Sequence, residues 1–139
     1  MALGDALLAR IERTVACYGP GRPIPAAELR AGLHELDLVP DPDFTEFVGR
    51  WGGCFVGVPV HAWDNAQLLG RETCLDLTRE ARAAYGARID GLVFADDGSG
   101  NPIWLAADGS VCLIDHTHGN TLVRLAASFR ALLEESVGD

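Results

Sequence analysis

Apolar positions recur along the chain with two periods, and the change of period divides it into a helical front, a β-rich middle and a closing helix. In the front, Leu7, Leu8, Ile11 and Val15 fall on one face of a helix that Asp5 can cap, and Tyr18-Gly19-Pro20-Gly21 ends it. Pro23 and Pro25 keep the next stretch extended, and Pro25 can open a second helix with Leu29, Leu33 and Leu36 as its stripe. Pro40 and Pro42 break the chain again. A third helix is expected to start between Asp41 and Asp43, where acids meet the positive end of the helix dipole. Phe44, Phe47, Val48 and Trp51 form its narrow apolar stripe, and Gly52-Gly53 stops it.

The period then shortens. Residues 54–63 read as a strand, with Pro59 placing it at an edge or a bulge. Residues 68–85 fit neither period cleanly, although 79–85 look helical and Gly86 closes them. Residues 92–95 form a strand and Asp96-Asp97-Gly98-Ser99-Gly100-Asn101 a turn. Two further strands, 102–107 and 110–115, are joined by Asp108-Gly109. Asp-Gly between apolar runs predicts a two-residue hairpin loop, because glycine tolerates the positive φ that a primed turn requires. That loop would set Ala107 opposite Ser110, Leu105 opposite Cys112, Ile103 opposite Ile114 and Trp104 against Leu113. Both faces of the hairpin are apolar, so helices or chain are expected on both sides. Residues 121–123 can add a short strand, and a last helix is expected over about 125–136, with Leu125, Phe129, Leu132 and Leu133 inward. These elements predict an α+β fold, one domain of residues 1–139, with a mixed or antiparallel sheet packed by N-terminal and C-terminal helices.

Charge narrows the partners. Eleven basic residues, all arginine, face 20 acidic ones, a formal net charge of −9. Such a chain repels phosphate backbones and anionic bilayers, so neither direct nucleic-acid nor membrane binding is expected. A basic protein partner suits it. The opening MALGDALLARIERT has no basic stretch ahead of an apolar core, and no run reaches the roughly 20 apolar residues of a membrane span. A cytoplasmic protein is the expectation. Cys17, Cys54, Cys74 and Cys112 form no C-x-x-C pair and are expected as buried free thiols.

Few motifs carry chemistry. In Asp115-His116-Thr117-His118 the two imidazoles would share a face if the strand ran that far, a spacing that can hold zinc. The sequence nominates no third or fourth ligand, so loop histidines are the expected reading and no metal is assigned. The turn 96–101 lacks the oxygen spacing and closing glutamate of a calcium loop. No P-loop, G-x-G-x-x-G or G-x-S-x-G is present, and Ser128 lies on a helix pattern. Trp51, Trp63 and Trp104 could stack on bases, but without a basic patch core packing is their expected role. No catalytic residue and no cofactor is assigned, which favours a binding module over an enzyme.

Three stretches, in this order, are similar to the SUKH superfamily. The first is Val39-Pro40-Asp41-Pro42-Asp43-Phe44-Thr45-Glu46-Phe47-Val48 followed by Trp51-Gly52-Gly53, where the family shows Leu-Pro, an acid, an aromatic, a Phe-Leu pair and then Asn-Gly-Gly. The second is the strand, glycine-rich turn and strand over 92–105, and the third is Leu125-Ala126-Ala127-Ser128-Phe129-Arg130-Ala131-Leu132-Leu133, similar to the family's closing helix. Trp51 stands where the family has Asn, and Ala95 where it commonly has Gly. Many bacterial members are immunity proteins, so the resemblance implies an intracellular protein that binds and neutralises a cognate toxin. The acidic balance implies a basic toxin, such as a nuclease or deaminase. Aromatic anchors beside unpaired acids suggest Trp63, Asp64, Asp96, Asp97, Asp115 and His116 as the partner-binding surface. The alternatives are a non-catalytic regulatory scaffold of the same fold, or a metal-dependent enzyme using His116, His118 and a carboxylate.

Overall fold

A computed structural model describes residues 3–137. Helix α1 (Asp5–Tyr18) buries Leu7, Leu8, Ile11 and Val15, as its spacing requires. Gly4 rather than Asp5 occupies the cap position, and no side chain caps the helix there. Asp5 sits instead in the first turn, where its charge still faces the dipole. Helix α2 (Ala26–His34) follows Pro25 and buries Leu29 and Leu33; Leu36 lies beyond its end. That end is a Schellman motif: Leu38 N–H donates to Leu33 O and Asp37 N–H to His34 O, both at 3.0 Å. Asp37 takes the left-handed position, with φ 57°. Helix α3 (Pro42–Trp51) begins where the acids and proline place it: Asp41 accepts from Phe44 N–H at 2.9 Å.

The segment expected as one strand at 54–63 folds back on itself. Its two short strands, β1 (Cys54–Phe55) and β2 (Pro59–Val60), pair antiparallel around Gly57. Helix α4 spans Cys74–Tyr85 and starts five residues ahead of the expected 79. The reason is a capping box: Thr73 Oγ1 accepts from Asp76 N–H, and Asp76 Oδ2 from Thr73 N–H, each at 3.1 Å.

Strands β3 (Leu92–Asp96), β4 (Pro102–Leu105), β5 (Val111–Asp115) and β6 (Thr121–Ala126) form an antiparallel sheet in that order. The β4–β5 register differs by one residue from the expected one: Leu105 faces Val111, Trp104 faces Cys112 and Ile103 faces Leu113. The loop holds three residues, not two. Ala106 N–H donates to Ser110 O at 2.8 Å and Gly109 N–H to Ala106 O at 2.9 Å, with Gly109 at φ 90°. This is a turn closed by a glycine bulge, and Asp108 braces it by accepting from Ser110 N–H and Oγ–H. Strand β6 runs three residues past the expected 123, which delays helix α5 (Phe129–Ser136) by four residues. Ser128 caps α5, accepting from Ala131 N–H at 3.0 Å. Strand β6 is the outer strand of the sheet, with Leu122 and Val123 49% and 38% exposed.

Both faces of β3–β5 are covered, as two apolar faces demand. On one side α1, α2, α3 and α5 enclose Phe44, Phe47, Phe94 and Phe129. Phe129 lies edge-to-face on the other three rings, at centroid distances of 5.3, 5.8 and 5.3 Å. On the other side Leu77 and Ala81 of α4 pack on Val93, Trp104, Cys112 and Ile114. Phe94 is a bulge in β3, skipped between the Val93–Trp104 and Ala95–Ile103 pairs. The bulge lets Phe94 and Ala95 both join the aromatic side. The Phe94 carbonyl accepts from His61 N–H at 2.8 Å, which seats the chain after β2 along β3. The result is an α+β fold.

Candidate partner-binding site

The β3–β4 turn and the end of β5 meet at one end of the sheet, because β4 and β5 run antiparallel. Asp97 organises the turn. Its Oδ1 accepts from Ser99 N–H at 2.9 Å and Asn101 N–H at 3.2 Å, and its Oδ2 accepts from Asn101 Nδ2 at 2.7 Å. Burial acts to raise the Asp97 pKa, but these hydrogen bonds outweigh it and hold the carboxyl below its ordinary range. Asp96 Oδ1 accepts from Gly98 N–H at 2.6 Å.

Asn101 is the residue that the sequence reading missed. It is only 4% exposed. Its Oδ1 accepts from His116 N–H at 3.0 Å and also meets the Nδ1 of the His116 ring. Asn101 therefore joins Asp97 in the turn to His116 beyond β5. The available signal was an asparagine closing a glycine-rich turn directly before a proline.

After β5 the chain makes one 3₁₀ turn, His116–His118, instead of continuing as a strand. Asp115 caps it, accepting from Thr117 N–H at 3.0 Å, Thr117 Oγ1 at 2.7 Å and His118 Nδ1 at 2.6 Å. The Thr117 hydroxyl bond, with His118, draws the Asp115 pKa below its ordinary range against the opposing effect of burial. The shared strand face that a two-histidine metal site needed does not form. Among the described residues no group of three or more His, Cys, Asp or Glu side chains is arranged to hold a metal ion.

Trp63 and Asp64 are bonded elsewhere. Trp63 is half-buried, packs on the aromatic core, and stands against Gly32 of α2, where a Cβ would come within 2.5 Å of the ring. Asp64 forms an exposed ion pair with Arg22 Nε at 2.6 Å. The structure thus gathers Asp96, Asp97, Asp115 and His116 around Asn101, and ties Trp63 and Asp64 to α2 and the segment before it. Asp64, Asp96, Asp97 and Asp115 are not unpaired; each accepts at least one hydrogen bond.

Beside Asp96 a cavity of about 260 Å³ opens between α4 and the sheet, lined in part by Glu72, Glu80, Tyr85 and Pro102. A hydrogen bond with Glu80 raises the Glu72 pKa, and burial and the nearby charges of Glu80, Asp76 and Asp96 add to the effect. The thiols divide: Cys54, Cys74 and Cys112 are buried, but Cys17 is exposed, against the expectation of four buried thiols. Burial pushes Cys54 and Cys74 up to about 12, which keeps them protonated and unreactive at neutral pH.

Helices on both sides of an antiparallel sheet, with a hydrogen-bonded turn at one end, define an α+β domain of the class that the three sequence stretches suggest. Residues 23–135 match the SMI1 / KNR4 family (SUKH-1), and the chain belongs to that family. No curated protein and no solved structure matches it. Proteins of this family are generally non-catalytic immunity or regulatory proteins, and membership supports a role in binding a partner protein. Among the described residues no helix is long and apolar enough to cross a membrane.

Proposed function

We propose that the chain is an immunity protein that binds a cognate protein toxin and neutralises it by masking its active site. The toxin that fits is basic, of nuclease or deaminase type. Enzymes that grip phosphates carry arginine and lysine at their working surface, and a chain of net charge −9 steers such a partner into fast encounter. The observation that carries the reading is the sheet end where Asp96, Asp97, Asp115 and His116 are held around Asn101, in a member of the SMI1 / KNR4 family. Carboxylates already held by hydrogen bonds lose little freedom when a cation meets them. Trp63, against Gly32 of α2, and Asp64, paired with Arg22, are kept in this reading as secondary contacts away from that end. The reading takes residues 1–139 as one SUKH-like domain that works in the cytoplasm by binding, without catalysis.

Tagging the protein in its native cell and identifying what co-purifies, at low and at moderate salt, tests this. One stoichiometric basic partner with a toxic activity, held less tightly as salt rises, is the expected result. Family membership also supports a second reading, a regulatory scaffold. That reading predicts a partner without toxic activity, and a host that gains no protection when the chain is supplied.

A further inference from the structure

The opposite end of the sheet has a different surface. The connection between α2 and α3, the start of β3 and the β4–β5 loop enclose a groove of about 360 Å³. Its floor is apolar and includes the buried side chains of Leu33, Phe44 and Leu105. Val39 lines it and is 88% exposed, far more than the other exposed large apolar side chains among the described residues. Three carboxylates, Asp37, Asp41 and Asp90, line the same groove, and no basic side chain of the described residues does. Asp41 accepts from the Phe44 amide and Asp90 from Trp104 Nε1, neutral donors that leave both charges in place. Arg82 reaches the neighbouring loop but donates to Leu36 O at 2.9 Å.

We propose that this groove docks a segment of a partner protein in which an apolar side chain sits next to an arginine or lysine. The apolar side chain rests on the Leu33–Phe44 floor beside Val39, and the cation lies among Asp37, Asp41 and Asp90. A wholly apolar occupant would dehydrate three carboxylates without pairing them. A wholly cationic one would leave Val39 in water. Adjacent apolar and basic groups satisfy both, which is the composition of a strong interface anchor. The proposal depends on the partner reading above only for which protein carries the segment.

The test uses the intact protein and the probe acetyl-Leu-Arg-amide, with acetyl-Leu-citrulline-amide as its neutral counterpart, followed by amide NMR shifts. Saturable shifts at Asp37, Val39 and Gly91 are expected, about two- to fivefold weaker with citrulline, the range of one exposed ion pair. Ala107→Arg, which places the chain's own guanidinium at the groove wall, is expected to abolish them. No saturable shift at these amides, an equal response to the citrulline peptide, or undiminished binding by the Ala107→Arg variant overturns the proposal. Asp37→Gly should raise the melting temperature while weakening the peptide about two- to fivefold, and unchanged affinity would remove Asp37 from the site. A toxin held at the Asp96–Asp97 end while the groove stays silent would sink this proposal and leave the immunity reading standing. Peptide binding without any toxin partner would do the reverse.

Discussion

The two ends of the central sheet carry similar charge and use it differently. At the β3–β4 end, the buried Asn101 bonds Asp97 and His116, while Asp96 accepts from the Gly98 amide and Asp115 from Thr117 and His118. At the β4–β5 end, Asp37, Asp41 and Asp90 line an apolar groove beside the exposed Val39. The first end is ordered by its own polar bonds and offers fixed charge. The second leaves apolar surface uncovered and offers area together with charge. Acidic residues alone therefore do not mark what a surface binds; what each carboxylate already touches does.

Asn101→Ala is the strongest way to break the contrast. It strips a partner from Asp97 and from His116 in a buried position, so a loss of about 1–3 kcal/mol is expected in urea unfolding. Ala107→Arg at the other end should stay within about 0.5 kcal/mol of the parent, as an exposed loop substitution does. Equal losses from the two would show that the ends are not built differently.

Acid sharpens the same point. Asp97 and Asp115 have folded pKa values below their unfolded values, near 3.9. Their contribution to stability is therefore complete above about pH 3.9 and is lost as pH falls through the lower folded values. Urea midpoints measured from pH 5 down to pH 2 should decline, and decline less steeply for Asn101→Ala, which removes a main cause of the Asp97 shift. An unchanged slope would mean that Asn101 does not set that shift. Asp108, lowered chiefly by the Ser110 hydroxyl bond, should decline alike in both proteins.

Smaller effects follow. Asp37→Gly relieves a left-handed residue at the end of α2, and a gain of about 0.5–1 kcal/mol is expected by thermal unfolding. Asp64→Asn removes an exposed ion pair with Arg22 and should cost under about 0.5 kcal/mol. A larger cost would give that pair a structural role that its exposure does not suggest.

Local features were legible where cause and effect lie close in the chain. The Phe44–Val48 stripe, Pro42 and the Asp41 cap fall within a few residues, and α3 forms where they put it. The β4–β5 register was not legible, because Asp108-Gly109 reads alike in a two- and a three-residue loop. Only the closing pair, Ala106 and Ser110, distinguishes them. The start of α4 lay hidden in a stretch of mixed period, although Thr73 and Asp76 carried its signal. Leu125 fitted a helical stripe but packs from a strand. In the candidate site, residue type nominated the acids but not their grouping. Asn101 bonds partners 4 and 15 residues away, and that bridge exists only once β4 and β5 pair.

Strand β6 sets a condition on handling the protein. Its outward backbone edge has no strand beside it among the described residues, and Leu122 and Val123 stand half-open to water. An open edge of this kind is a template on which a second chain can lengthen the sheet. Arg124 within the strand and the mutual repulsion of molecules carrying −9 oppose that growth. The repulsion vanishes near the isoelectric point, about 4.7, and shrinks in concentrated salt. Turbidity is therefore expected first in mildly acidic, high-salt solution, where the molecule is still folded but no longer colloidally protected.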